Sequence, residues 1–273
     1  MKKLFKNSIE LLPGQWSLKF LNALRWLRYP KLRRQRRLDR AVLKKYGWPD
    51  HVLKGPFKGM RYISAAYFGS VVPKVLGVYE MELAESIGRM GQARPDVIVD
   101  IGAAEGYYAV GMALQNRQAK MICYEMYQPA QALLRELALL NSALERVEIR
   151  GICSADSLRT SLASAKRPAV ICDCEGAEDF LMDPQAVPEL ASAVMIVEIH
   201  DEYVPDVSRR IQERFEKTHD LTVINRRARV ASDLPDNVSL TEDEFAAAID
   251  ERRASALWYF LVPKNLSLQS SAS

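Results

Sequence analysis

The rhythm of apolar and polar positions changes at residue 96. From there, short apolar runs of strand length alternate with amphipathic stretches of helical period. The runs predict strands over 97–101, 120–125, 147–152, 169–173, 194–200, 221–224 and 257–262. Helices are predicted between them over 107–116, 129–142, 157–164, 207–218 and 241–252, with a short helical crossover at 188–192. The last long helix opens on Thr241-x-x-Glu244, the pattern of a capping box. Strands that alternate with helices predict an α/β fold, a seven-stranded, mostly parallel sheet with helices on both faces.

Before residue 96 the pattern is different. Trp16, Phe20, Leu24 and Leu27 recur at helical spacing, with Trp26 beside them, and a basic run follows over 31–40. Residues 46–95 contain a Gly55-Pro56…Gly59 turn that suggests a hairpin, a stretch over 64–76 that reads as loop, and a helix from Tyr79 to Met90 that Gly91 stops. The chain thus divides into a basic amphipathic helical extension (1–45), a lid-like segment that covers the ligand pocket (46–95), the α/β body (96–263) and a Ser-rich, loose tail (264–273).

Charge sharpens this division. Residues 1–45 hold 14 Lys and Arg against 2 Asp and Glu, and the remainder hold 24 against 32, so a basic arm precedes an acidic body. The arm fits three roles: a helix packed on the body, a peripheral contact with an anionic membrane, or a nucleic-acid arm, the last being the weakest fit. No apolar run reaches the ~20 residues of a membrane span, and no signal-peptide pattern opens the chain. The four cysteines, Cys123, Cys153, Cys172 and Cys174, sit in or beside apolar strands, as buried reduced thiols of a cytoplasmic protein do.

Candidate chemistry collects at the ends of the strands, where ligands bind in open α/β sheets. Asp100 closes the first strand, and Gly102-Ala103-Ala104-Glu105-Gly106 leads into the helix at Tyr107. Such a turn lets a ligand approach the backbone and the free N–H groups of a helix start. Glu125 ends the second strand, beside Met126, where a carboxylate accepts ribose hydroxyls. Cys153 and Ser154 follow the third strand, Asp173 and Glu175 the fourth, and Glu198 and His200 end the fifth. Residues two apart on a strand share a face, so Asp173 pairs with Glu175 and Glu198 with His200. His200 is the candidate general base, with Glu198 or Asp173 as its orienter. The weaker reading is a histidine hydrogen-bonded at a strand end without a catalytic task. The same carboxylates could hold Mg²⁺, although the reading adopted assigns no metal. His51 and His219 read as surface residues.

Three motifs together resemble one family. Asp173-Cys-Glu-Gly-Ala-Glu178, followed by Val197-Glu-Ile-His200 and preceded by Val99-Asp-Ile-Gly-Ala-Ala-Glu-Gly-Tyr107, is similar to the FkbM family of S-adenosylmethionine (SAM) methyltransferases. Asn141 fits the same family's habit, and the resemblance spans 96–201. It implies a Rossmann-like class I methyltransferase sheet in which the last strand inserts antiparallel beside the fifth. It also implies SAM as cofactor and O-methylation of a hydroxyl on a sugar, glycan or secondary metabolite. On that basis Asp100, Gly102 and Glu125 belong to the SAM site, with Ala103, Glu105, Gly106, Tyr107, Met126, Cys153, Ser154 and Asp173 around it. Asp173, Glu175 and Glu178 belong to the active-site edge. Ala104-Glu105 departs from the Ala-Asn of many members. A protein or RNA acceptor guided by the basic arm is the weaker reading, because no Asn/Asp-Pro-Pro-Tyr element follows the fourth strand. A non-catalytic SAM-fold module at a membrane is the third.

Overall fold

The computed structural model describes residues 41–45, 50–249, 251 and 257–266. The expected helix of the arm over 1–40 and the tail beyond 266 lie outside the described residues. One seven-stranded sheet forms the centre. In chain order its strands are β1 (Val97–Ile101), β2 (Lys120–Tyr124), β3 (Val147–Arg150), β4 (Pro168–Cys172), β5 (Val194–Ile199), β6 (His219–Asn225) and β7 (Leu257–Pro263). Their spatial order is β3-β2-β1-β4-β5-β7-β6, and β1 to β5 are parallel. β7 runs antiparallel to both β5 and β6. This is the Rossmann-like class I methyltransferase arrangement that the resemblance implied.

β1, β4 and β5 are buried along their whole length, which is why they read as largely apolar runs, broken only by Asp100 and Glu198, rather than alternating ones. One face of the sheet packs Ile98, Ile196, Trp258 and Phe260 against α2 (Ala84–Gln92), α3 (Tyr107–Gln115) and α4 (Gln128–Leu140). The other packs Val99, Val197 and Leu261 against α5 (Ala155–Leu162) and α7 (Val207–Phe215). Among the described residues no helix is long and apolar enough to cross a membrane.

The segment before β1 differs from its expectation in three places. Residues 71–76, read as loop, form the helix α1 (Val71–Leu76). The Ser70 hydroxyl caps its start by accepting from the Val72 N–H, and Gly77 closes it at φ 77°. Pro73 stands in the first turn, where its missing N–H has no intrahelical partner to lose. The expected hairpin is one antiparallel bridge, His51 to Arg61, around a turn held by Val52 N–H to Met60 O at 2.8 Å. It carries the Phe57 ring onto Gly111 of α3, where a Cβ would stand 2.4 Å from the ring. Gly91 does not stop its helix, which runs to Gln92.

Residues 41–45 are helical, and Val42 and Leu43 pack with Val72 and Leu76 of α1, Leu234 and Val238. That stretch of the arm therefore lies on the body. Lys45 donates to Ser239 O and Glu244 Oε2, in front of α8 (Glu242–Ala248).

His219 corrects a further expectation, that it lies at the surface. It is buried at the start of β6, with Nε2 3.0 Å from Ala193 O and Nδ1 2.8 Å from Thr218 Oγ1. Burial holds its pKa below the ordinary histidine value, and the Ala193 carbonyl offsets this only in part. An unfolded chain then binds a proton that the folded chain refuses. Stability from this residue is constant above pH ~6.5 and falls as pH drops through that value. Urea midpoints at pH 7.5 and pH 5 test this: His219→Gln should lose less stability between the two than the wild type does.

Candidate active site

Ile101, Tyr124, Cys172 and Val197 stand level on their four strands. One residue further along lie Gly102, Glu125, Asp173 and Glu198. The parallel register therefore lines three carboxylates and one glycine along the carboxyl edge of the sheet. Gly102 is the gap in that line, and it is required. Its φ is 85°, and a Cβ there would lie 1.7 Å from the Asp173 carbonyl oxygen. Both neighbours pin the turn: Gly102 N–H donates to Tyr124 O at 2.9 Å, and Asp173 N–H to Ile101 O at 2.9 Å.

Asp100 sits one step below, 3% exposed, and its Oδ2 has no hydrogen-bond partner among the described residues. Burial, reinforced by the charges of Asp173 and Glu125, pushes its pKa up to about 8. Glu125 spends one oxygen on the Ala104 N–H at 2.8 Å and the other on the Tyr127 N–H at 2.7 Å. Burial still raises its pKa, because those N–H groups offset only part of the desolvation. Met126 beside it is exposed. Ala103 and Tyr107 are core residues, the latter edge-on to Phe57 with ring centres 5.1 Å apart, and Gly106 caps α3. Ser154 is occupied in a capping box with Ser157 at the start of α5. Burial pushes the neighbouring Cys153 thiol up to about 12, so it stays protonated.

Glu105, expected among the cofactor contacts, turns the other way. Its carboxylate is fully buried and accepts from the Tyr62 hydroxyl at 2.9 Å, the Tyr67 N–H at 3.1 Å and the Lys74 ammonium. All three donors belong to the segment before β1, so Glu105 fastens that segment to the glycine turn. Lys74 is itself 3% exposed, on α1. Nothing local to Glu105 signals this partnership. A lone lysine inside the apolar run Val71–Leu76 was the available sign.

The second half of the site lies past β4 and β5. His200 is buried just beyond β5, and its Nδ1 is 2.8 Å from Glu178 Oε1. Glu178, fully buried, opens the four-residue helix α6 (Glu178–Leu181), which the sequence reading did not foresee. It also accepts from the N–H groups of Cys174 at 3.1 Å and Gly176 at 2.9 Å. The orienter of His200 is thus Glu178, whereas Glu198 and Asp173 were expected. Burial pushes the Glu178 carboxyl up, but the His200 hydrogen bond and charge outweigh it and hold the carboxyl below its usual range. Burial likewise opposes charge on His200, and Glu178, Asp173 and Glu175 together overcome it and raise the imidazole above its ordinary value.

On its other side, His200 Nε2 stands 3.7 Å from Asp173 Oδ1, 3.8 Å from Glu175 Oε2 and 3.9 Å from Glu198 Oε1. All four expected catalytic residues therefore meet. Tyr203, unassigned from the sequence, stacks on the imidazole with ring centres 5.6 Å apart. A turn returns it there, its N–H donating to His200 O at 3.0 Å.

No protein-family model matches the chain, and no curated protein matches its sequence. Solved structures do match it. An O-methyltransferase from Bacillus cereus in complex with SAH is 13% identical, with 68% of this chain and 84% of that one covered and a TM-score of 0.44. A precorrin-6y C5,15-methyltransferase from Geobacter metallireducens GS-15 is 12% identical over 64% and 85%, with a TM-score of 0.44. Cofactor-bound Rv0187 from MTB is 12% identical over 64% and 77%, with a TM-score of 0.43.

The Glu105–Lys74 clasp yields a prediction. Lys74→Met leaves a buried carboxylate uncompensated and should destabilise the fold by about 3–5 kcal/mol. The double variant Lys74→Met/Glu105→Gln should recover part of that loss. A urea-unfolding cycle measures both.

Proposed function

We propose that this chain is a SAM-dependent methyltransferase that acts on a hydroxyl of a sugar-like or small-metabolite acceptor. The observation that carries the reading is the glycine turn at Gly102, set between Glu125 and Asp173 at the carboxyl edge of a sheet whose seventh strand is antiparallel. The three sequence motifs that resemble the FkbM family fall at this edge, on the ends of β1, β4 and β5, and support that finer assignment.

The residues present suit SAM. A side chain at 102 would strike the Asp173 carbonyl, so glycine lets the turn after β1 sit against the loop after β4 and keeps Glu125 and Asp173 on one edge. Glu125 takes the Ala104 N–H on one oxygen and the Tyr127 N–H on the other, and an ionised carboxylate has about four acceptor sites, so it retains capacity for a ribose hydroxyl. Asp100, buried and short of a partner at Oδ2, supports the turn from below as a neutral acid at pH 7. When bound, SAM supplies a methyl group activated by its sulfonium.

The chain supplies the rest. In-line transfer requires the acceptor to approach from one direction with its oxygen held near the methyl carbon. Asp173 belongs both to the carboxylate line beside Gly102 and to the group around His200, so the acceptor side begins where the cofactor side ends. A hydroxyl is a poor nucleophile until its proton is removed. That task falls to the cluster of Asp173, Glu175 and His200. The segment before β1 is fastened to the glycine turn through Glu105.

Calorimetric titration of S-adenosylhomocysteine into the full chain tests the assignment. Micromolar binding, about −8 kcal/mol, is expected, with at least a tenfold loss in Glu125→Ala. No heat in the wild type would overturn the reading.

A further inference from the structure

His200 stands between two sets of carboxylate oxygens. Nδ1 is taken by Glu178 at 2.8 Å, which fixes the ring. Nε2 faces oxygens of Asp173, Glu175 and Glu198 at 3.7, 3.8 and 3.9 Å. None of the three is within hydrogen-bond reach of it. If Nε2 is unprotonated, its lone pair faces carboxylate lone pairs. If it is protonated, none of these oxygens is close enough to accept its N–H. A cation held between them meets the imidazole and the carboxylate lone pairs together.

We infer that Asp173, Glu175 and His200 Nε2 form a divalent metal site, resting on the methyltransferase reading above and specifying how its acceptor hydroxyl is activated. The ligand atoms of the three residues lie within 4.8 Å of one another. Ligands about 2.0–2.3 Å from a shared ion stand roughly 3.0–3.8 Å apart, so the distances to Nε2 need to shorten only slightly. Glu178 completes a carboxylate–histidine–metal relay, the partnership that metal-bound imidazoles ordinarily show. One imidazole with carboxylates suits Mn²⁺, Fe²⁺ or Zn²⁺ better than Ca²⁺. Glu175, 66% exposed, leaves the solvent side open for a further ligand.

That ligand is the acceptor hydroxyl. Its O–H bond breaks, the proton leaves to solvent beside Glu175, and the electron pair stays on oxygen as the nucleophile. In this scheme His200 holds the ion and is not the base.

The test uses the full chain stripped with EDTA and titrated with Mn²⁺, followed by electron paramagnetic resonance. The expected result is one bound Mn²⁺ per chain, with imidazole nitrogen coupling in the pulsed spectrum. Glu175→Gln should weaken it at least tenfold. This side chain is exposed, so the substitution leaves the core untouched. Glu178→Gln should weaken it about 10–100-fold. Absence of stoichiometric binding, absence of nitrogen coupling, or an unchanged affinity in Glu175→Gln would each overturn the site. S-adenosylhomocysteine binding by the same stripped wild type reads the cofactor assignment separately, so the failure of one is distinguishable from the failure of the other.

Discussion

At Gly102 two backbones come into contact, and the carboxyl edge of the sheet is arranged around that contact. The turn after β1 presses on the Asp173 carbonyl with no room for a methyl group. Because β1 is hydrogen-bonded to both β2 and β4, the closeness is transmitted sideways: Tyr124 and Ile101 carbonyls take the N–H groups that hold the turn and the start of the β4 loop in place. Glu125, Asp173 and Glu198 then have their positions set by ladder hydrogen bonds, which are stiffer than any loop. A site built this way is rigid before a ligand arrives.

Crowding carboxylates on one edge is costly, and the fold meets that cost by three separate means. Asp100 keeps its proton. Glu125 is met by backbone N–H groups. Glu105 and Glu178 are matched with a buried Lys74 and a buried His200. Each device has a structural by-product. The lysine brings α1 onto the glycine turn, and the histidine aligns β5 with α6. Electrostatic compensation and the assembly of the site are therefore the same set of contacts.

Much of this was readable in the chain. β1, β4 and β5 are buried on both faces, so their apolar runs carry the sheet in plain form, and the glycine turn marks where it opens. Asp173, Glu175, Glu198 and His200 were legible as one group because strand period places i and i+2 on one side. What escaped depends on distant partners. Glu105 follows the glycine turn and reads as a ligand contact, but α1 docking decides where it points. α1 is six residues with a proline inside, too short for a periodic signal. Glu178 begins a helix of only four residues. His219 follows Glu216-Lys217-Thr218 and precedes Asp220, a polar run that looks like surface, yet the first residue of β6 tucks beneath Ala193.

The position of β7 has a consequence for how the molecule is made. β6 has β7 as its sheet neighbour and does not touch β5 through the ladder. During synthesis β6 therefore leaves the ribosome with no strand to join, while β5 presents an open edge. Both wait until residue 263 has emerged. An unpaired edge flanked by apolar strands is a template for wrong pairing. The interval between finishing β5 and finishing β7 is thus the period in which the nascent chain is most exposed to aggregation, and in which a chaperone that covers strand edges would have the greatest effect on yield.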